Sequence, residues 1–263
     1  MQMTDYTPGT FCWADLATTD AAAAKAFYTA LFGWTATDVP TDGGPDYTML
    51  AKDGKDVCAL WELGAEQCQQ GVAPHWQSYV SVTSADATAA KAQELGGKVV
   101  LEPMDVMDVG RMAVLQDPTG ATLSVWQPRA HAGAQLIREV GTLCWNELQT
   151  HDPAAAERFY HELFGWQAHA NDALMDRTYW EFRDGDIPAG GMLQIQPEWG
   201  EVPPNWSVYF HVLDCDAALE RAKSLGGEVL VPPMDIETIG RLAFIKDPTG
   251  AVFAVIAFEA QQG

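Results

Sequence analysis

The stretch "GRMAVLQDPTGATLSVW", Gly110 to Trp126, returns as "GRLAFIKDPTGAVFAVI", Gly240 to Ile256, with nine of seventeen positions identical. Both copies read as two apolar runs joined by an Asp-Pro-Thr-Gly turn, the pattern of a β-hairpin. Working outward, "FYTALFGW" (27–34) matches "FYHELFGW" (159–166) at an offset of 132, and "ELGGKVVLEPMD" (94–105) matches "SLGGEVLVPPMD" (224–235) at 130. A near-constant offset along the chain means two homologous domains, 1–132 and 133–263, met in the polar linker "QPRAHAGAQLIREV".

Each half divides again. "TFCWADL" or "TLCWNEL" opens a first module as a strand, and a helix follows with Asp20 or Asp152 as N-cap and Gly33 or Gly165 as stop. Pro153 stands at the first helical position of the second copy. The strand of the second module is "HWQSYVSV" or "NWSVYFHV", its helix ends in "ELGG" or "SLGG", and the opening hairpin closes it. Strand, helix and three strands, four times over, is an α+β plan with mixed, mostly antiparallel sheets.

Composition narrows the partners. The 263 residues are 48% hydrophobic, enough for one large core or two ordinary ones. Thirty-six acidic against 15 basic side chains give a net charge of −21, which repels phosphate backbones and anionic headgroups. Nucleic acid and membranes are therefore not expected as partners, and the absence of a signal-like N-terminus or a long apolar run predicts a cytoplasmic protein. Five cysteines with no Cys-x-x-Cys pair argue against a disulfide framework and a thiolate zinc site; Cys12 and Cys144 read as small buried residues. There is no Gly-x-Gly-x-x-Gly, P-loop or Gly-x-Ser-x-Gly, which removes nucleotide, phosphate and serine-hydrolase readings.

"LFGW" ending the first helix, "ELGG" ending the second and the "DPTG" hairpin, in this order and in duplicate, resemble the vicinal oxygen chelate superfamily of glyoxalases, bleomycin-resistance proteins and extradiol dioxygenases. The resemblance implies two glyoxalase-like domains, each of two βαβββ modules curled into a cup. It also implies a metal held by residues of the first and last strands. Here the last-strand glutamate of that pattern corresponds to Ser124 and Ala254, the histidine opening the second module to Gln77 and Ser207, and the first-strand place to Trp13 and Trp145. None of these side chains is an imidazole, carboxylate or thiolate, so no metal cofactor is expected; a non-standard site through Glu147 and His211 is the alternative.

Strand alternation predicts what faces each cup. Phe11, Trp13 and Asp15 share one face of the first strand, as do Leu143, Trp145 and Glu147; Cys12, Ala14 and Leu16 should meet the helix. The other walls carry Gln77, Tyr79 and Ser81 with Ser124 and Trp126, or Ser207, Tyr209 and His211 with Ala254 and Ile256. Each cup then has a carboxylate beside a tryptophan and facing a tyrosine, a setting that raises a carboxyl pKa and suits acid/base work. Glu147, Tyr209, His211, Asp15 and Tyr79 are the catalytic candidates. Trp13, Trp145, Gln77, Ser124, Trp126, Ser207, Arg111 and Arg241 are the substrate-binding candidates.

Blander readings stand beside these. The tryptophans can be core, His211 a structural histidine, and the two carboxylates internal hydrogen-bond partners. Arg111 and Arg241 either start the hairpin in an ion pair with Asp117 or Asp247, or bind an anion. The expected function is metal-independent acid/base chemistry on a small organic metabolite, of isomerase, lyase or hydroxylase-like type. The alternatives are sequestration of a small ligand, as bleomycin-resistance proteins perform, and metal-dependent lyase or dioxygenase chemistry. Four modules in one chain are compatible with a monomer or a homodimer.

Overall fold

A computed structural model describes residues 1–41, 43–171 and 178–259. The first half runs β1 (Phe11–Thr18), α1 (Ala21–Phe32), β2 (Thr35–Val39), β3 (Tyr47–Lys52), β4 (Lys55–Glu62), α2 (Ala65–Gln69), β5 (His75–Ser81), α3 (Ala85–Glu94), β6 (Lys98–Val106), β7 (Gly110–Gln116) and β8 (Thr122–Pro128). The second repeats it as β9 (Leu143–Thr150), α4 (Pro153–Phe164), β10 (Gln167–Asn171), β11 (Tyr179–Asp184), β12 (Ile187–Gln194), β13 (Asn205–His211), α5 (Cys215–Ser224), β14 (Glu228–Ile236), β15 (Gly240–Lys246) and β16 (Val252–Phe258).

The helices begin and end where their caps dictate. The Asp20 carboxylate accepts from the Ala23 amide at 2.9 Å and that of Asp152 from the Ala155 amide at 3.0 Å. Gly33 and Gly165 close the same helices at φ 72° and 83°, a left-handed conformation that costs a side-chain-free residue little.

Each half forms one eight-stranded sheet, ordered β2-β3-β4-β1-β5-β8-β7-β6 and β10-β11-β12-β9-β13-β16-β15-β14. The central strand β1 pairs parallel with β4 and antiparallel with β5, while β5 pairs parallel with β8; β9, β12, β13 and β16 repeat this. The two modules of a half thus meet along β1 and β5. The α+β, mixed-sheet plan expected from the sequence is the plan observed.

The apolar packing does not respect the repeat boundary. One core joins α1 residues Phe27, Tyr28 and Phe32 to Phe210 and Phe253 of the second half, with the Phe32 and Phe210 rings 5.1 Å apart. The other joins Phe159 and Tyr160 of α4 to Val80, Leu115 and Val125 of the first half. Each half therefore buries its first helix against the other half's second module, and the apolar area that drives folding is shared between them. Among the described residues no helix is long and apolar enough to cross a membrane.

Two corrections to strand parity follow from bulges. The pairing slips between Phe11 and Trp13, opposite Val80 and Tyr79, and again between Leu143 and Trp145. One extra residue reverses which face a side chain takes. Phe11 accordingly leaves the cup and packs 5.0 Å from the Trp206 ring, and Leu143 enters the core beside Phe210. Cys12 and Cys144 turn the other way, into the clusters that line the cups.

Candidate active site

In the N-terminal cup the central strand brings Trp13 and Asp15 to the same face, two residues apart. The Trp13 Nε1 donates to the Tyr47 hydroxyl at 2.9 Å, and Tyr47 in turn donates to Asp15 Oδ2 at 3.0 Å. Tyr79, from the neighbouring β5, donates to the same oxygen at 2.8 Å. The C-terminal cup repeats the arrangement: Trp145 Nε1 donates to the Tyr179 hydroxyl at 2.9 Å, and Tyr209 donates to Glu147 Oε1 at 2.7 Å. Tyr179 and Gln149 are close enough to favour the ionised form of Glu147.

Burial dominates the charge states. Asp15 and Glu147 are 2% and 4% exposed, so their ionised forms lose most of their hydration. The Asp15 carboxyl is pushed up to about 6 and that of Glu147 to about 7, the phenol hydrogen bonds pulling each partly back down. The same burial, with a carboxylate at hand, holds the Tyr47, Tyr79, Tyr179 and Tyr209 phenols well above their usual range. The tyrosines are donors, and each carboxyl group can take up or release a proton near neutrality.

The two cups differ in what remains unpaired. Asp15 Oδ1 and Gln77 Nε2 are buried and have no hydrogen-bond partner. Asp15 and Gln77 stand directly opposite each other on β1 and β5. The Trp61 indole is close enough to favour the ionised Asp15, yet completes no hydrogen bond to Oδ1. In the other cup Ser207 takes the place of Gln77 opposite Glu147, and its hydroxyl donates to Asn205 Oδ1 at 2.9 Å.

A strap from the interdomain linker covers the N-terminal cup. The Ala134 amide donates to the Cys12 carbonyl at 2.8 Å, Gln135 to that of Asp56 at 2.7 Å, and the Tyr6 hydroxyl to that of Ala134 at 2.7 Å. The His131 ring meets Trp13 edge-on at 4.7 Å, and the His131 carbonyl accepts from Trp126 Nε1 at 2.8 Å. Trp13 is consequently 4% exposed, whereas Trp145 is only partly buried.

The sequence-derived candidates therefore separate. Asp15, Tyr79, Trp13 and Gln77 come together, with Ser124 buried opposite Tyr79 and Trp126 buried under the strap. Glu147, Tyr209, Trp145 and Ser207 also come together, with Ala254 opposite Tyr209. His211 lies further along β13, its ring 5.0 Å from that of Phe258, and Glu139 and the Arg138 backbone are its polar surroundings. Its Nδ1 is buried without a partner and no hydrogen bond joins it to Glu147 among the described residues.

The arginines require a correction. Arg111 bonds Asp86 at 2.7 Å and Asp105 at 3.1 Å, and Arg241 bonds Asp216 at 2.8 Å and Asp235 at 2.9 Å, rather than Asp117 or Asp247. Both guanidinium groups sit on the helix side of the sheet, since the alternate residues Met112 and Leu242 face the cups. Two carboxylates already satisfy each fork, outside the cups.

Sequence reasoning missed Tyr47 and Tyr179. They lie 132 residues apart in "DYTML" and "TYWEF", the offset of the rest of the first module, and that duplication was the available signal. It also gave His131 no role.

The places where a metal would be held contain Gln77, Ser124, Ser207 and Ala254, which are weak or impossible donors to a divalent ion. Among the described residues no three His, Cys, Asp or Glu side chains gather closely enough to hold one.

Comparison with known proteins agrees with the duplication. Residues 10–125 match the glyoxalase/bleomycin resistance protein/dioxygenase superfamily, and residues 145–256 match the glyoxalase-like domain. The chain is 40% identical to CFP32 of Mycobacterium tuberculosis, which carries a provisional glyoxylase name, over 98% of both chains. It is 39% identical to the anthracycline biosynthesis protein DnrV of Streptomyces peucetius over 97% of this chain and 95% of that one. Among solved structures, the Mn(II)-bound glyoxalase from Novosphingobium aromaticivorans superposes with a TM-score of 0.64 at 17% identity, covering 96% of this chain and 83% of that one. At that identity the likeness concerns the fold alone.

Proposed function

The chain belongs to the glyoxalase/bleomycin resistance protein/dioxygenase superfamily, and from that premise we propose that it is a metal-independent acid/base enzyme acting on a small organic molecule in its C-terminal cup. The observation that carries this reading is the Glu147 carboxyl, buried, bonded by the Tyr209 phenol at 2.7 Å and pushed up to about 7. A carboxylate at that pKa can remove a proton from a carbon next to a carbonyl and return it elsewhere. Glu147 is the base, Tyr209 orients its carboxyl group, and Trp145, bonded to the Tyr179 hydroxyl, is the apolar wall.

The simplest balanced reaction is an isomerisation. Glu147 takes the proton from the hydroxyl-bearing carbon of an α-hydroxyketone to give an enediolate, and the hydroxyl proton passes to the former carbonyl oxygen. Glu147 then returns its proton, or one exchanged with water, to the former carbonyl carbon, so that carbonyl and hydroxyl change places. No oxidant or reductant enters, and no step is routed through a metal, because the donor set does not suit one. The relative named for anthracycline biosynthesis supports an aromatic substrate.

Hydrogen exchange tests this. Aromatic α-hydroxyketones incubated with the protein in D2O should gain deuterium at the carbon beside the carbonyl, followed by proton NMR. Glu147→Gln should abolish the gain while ligand binding persists. Binding without exchange in the unaltered protein would instead favour sequestration, the reading in which an acidic chain with aromatic cups holds its ligand unchanged.

A further inference from the structure

We infer that the N-terminal cup binds a small planar, uncharged ligand through a donor and an acceptor lying side by side on one edge, the donor meeting Asp15 and the acceptor meeting Gln77. The inference rests on reading the cups as small-molecule sites, and it does not depend on turnover in the C-terminal one.

Asp15 Oδ2 already receives the Tyr79 and Tyr47 hydroxyls, at 2.8 and 3.0 Å. These two bonds fix the carboxyl plane, and they leave Oδ1 unpartnered in a side chain 2% exposed. Directly across the antiparallel ladder Gln77, 7% exposed, holds an Nε2 without a partner. An acceptor and a donor, adjacent, buried and unbonded to each other, are costly unless something supplies the complementary pair. A lactam edge does so, its N–H pointing to Oδ1 and its C=O to Nε2; a hydroxyl beside a carbonyl is the same pattern.

The surroundings fix the rest of the class. An anion would meet the Asp15 carboxylate and a cation the Gln77 amide hydrogens, so a neutral edge suits both. Trp13 and Trp126 belong to the apolar cluster that lines the cup, which favours an aromatic ring over a polar chain. The linker strap closes it through His131 on Trp13. The C-terminal cup makes no such demand at the equivalent pair, because Ser207 is bonded to Asn205, Tyr209 donates to Glu147, and neither Ser207 nor Glu147 leaves a buried polar atom unpartnered.

The probe is 2-pyridone, titrated calorimetrically into the full chain, with N-methyl-2-pyridone as the analogue that lacks the donor. The unaltered protein should bind 2-pyridone at one site and the N-methyl compound at least tenfold more weakly. Gln77→Met should weaken 2-pyridone by at least tenfold, and Ser207→Ala should leave it unchanged. No binding to the unaltered chain, equal binding of the two pyridones, or loss on Ser207→Ala alone would overturn the inference. Should Gln77→Met fail to fold, the comparison of the two pyridones on the unaltered protein decides. Pyridone binding together with absent hydrogen exchange would uphold this site while refuting the catalytic reading of the other cup.

Discussion

The Tyr28 hydroxyl donates to Asp247 Oδ2 across 2.9 Å, joining residues 219 apart in the chain. Tyr160 does the same to Asp117 at 2.9 Å. Asp117 and Asp247 are the aspartates of the duplicated Asp-Pro-Thr-Gly turns. In each, Oδ1 gathers the turn's own amides and threonine hydroxyl, while Oδ2 reaches the opposite half. The turn that reveals the repeat is therefore also the point where the two halves are tied.

Tyr28→Phe removes that tie and leaves two buried groups without partners, Asp247 Oδ2 and Trp76 Nε1, the latter donating to Tyr28 at 2.9 Å. Each such group costs roughly 1–3 kcal/mol. Urea unfolding should show a loss of about 2–4 kcal/mol, and Tyr160→Phe a similar one through Asp117 and Trp206. A loss within error of zero would mean that the cross-half bonds contribute nothing.

Glu147 predicts a pH dependence of stability with a definite sign. Its folded pKa, about 7, lies above the ordinary 4.5, so the folded chain keeps a proton that the unfolded chain has released. Its contribution is full below pH 4.5 and is lost as pH rises through 7. Relative to Glu147→Gln, the unaltered protein should lose stability on the order of 3 kcal/mol between acid and mildly alkaline pH. Paired urea curves at several pH values measure it, and a constant difference would refute the raised pKa.

Catalysis should rise along the same titration. If Glu147 acts as base, hydrogen exchange requires its ionised form, so the rate climbs with pH and levels off above about 7. The profile of Asp15→Asn should match that of the unaltered protein. An unaltered profile in Glu147→Gln would place the base elsewhere.

Gly191 positions Tyr179. A Cβ there would stand 1.9 Å from the Tyr179 hydroxyl oxygen and 2.9 Å from Trp145 Nε1. The equivalent residue of the N-terminal cup is Ala59, so the two cups hold their second tyrosine differently. Gly191→Ala should displace the Tyr179 phenol, slow exchange on the order of tenfold and move the kinetic pKa further up, because Tyr179 favours the ionised Glu147. A slower rate with an unmoved pH profile would indicate a merely structural effect.

Arg111→Ala should leave both hydrogen exchange and 2-pyridone binding unchanged. The guanidinium is spent on Asp86 and Asp105 on the helix side of the sheet, and exposed pairs of this kind contribute little. Loss of either activity would return the arginine to the cup.

Much of this molecule was legible because its signals are local and duplicated. Helix caps act within three residues, as Asp20 on Ala23 shows, and a repeat at a fixed offset betrays itself by comparison. Carboxylate, tryptophan and tyrosine could be placed on one cup face from alternation. The failures have equally physical causes: the bulges at Phe11 and Leu143 reverse parity without any distinctive residue, and Arg111 found carboxylates on β6 and α3 that sequence distance did not nominate. His211 obeyed alternation but lay too far along its strand to join Glu147.

By itself the sequence determined four βαβββ modules, the turns and caps that delimit them, and one acidic residue per cup, since each depends on short-range backbone chemistry or on the period of a strand. Only the tertiary structure decided that α1 serves the second half's core and α4 the first, that Tyr47 and Tyr179 complete the carboxylate clusters, and that the linker closes one cup. Those outcomes depend on contacts between distant segments, where shape, burial and hydrogen-bond demand select the partner and no local pattern records the choice.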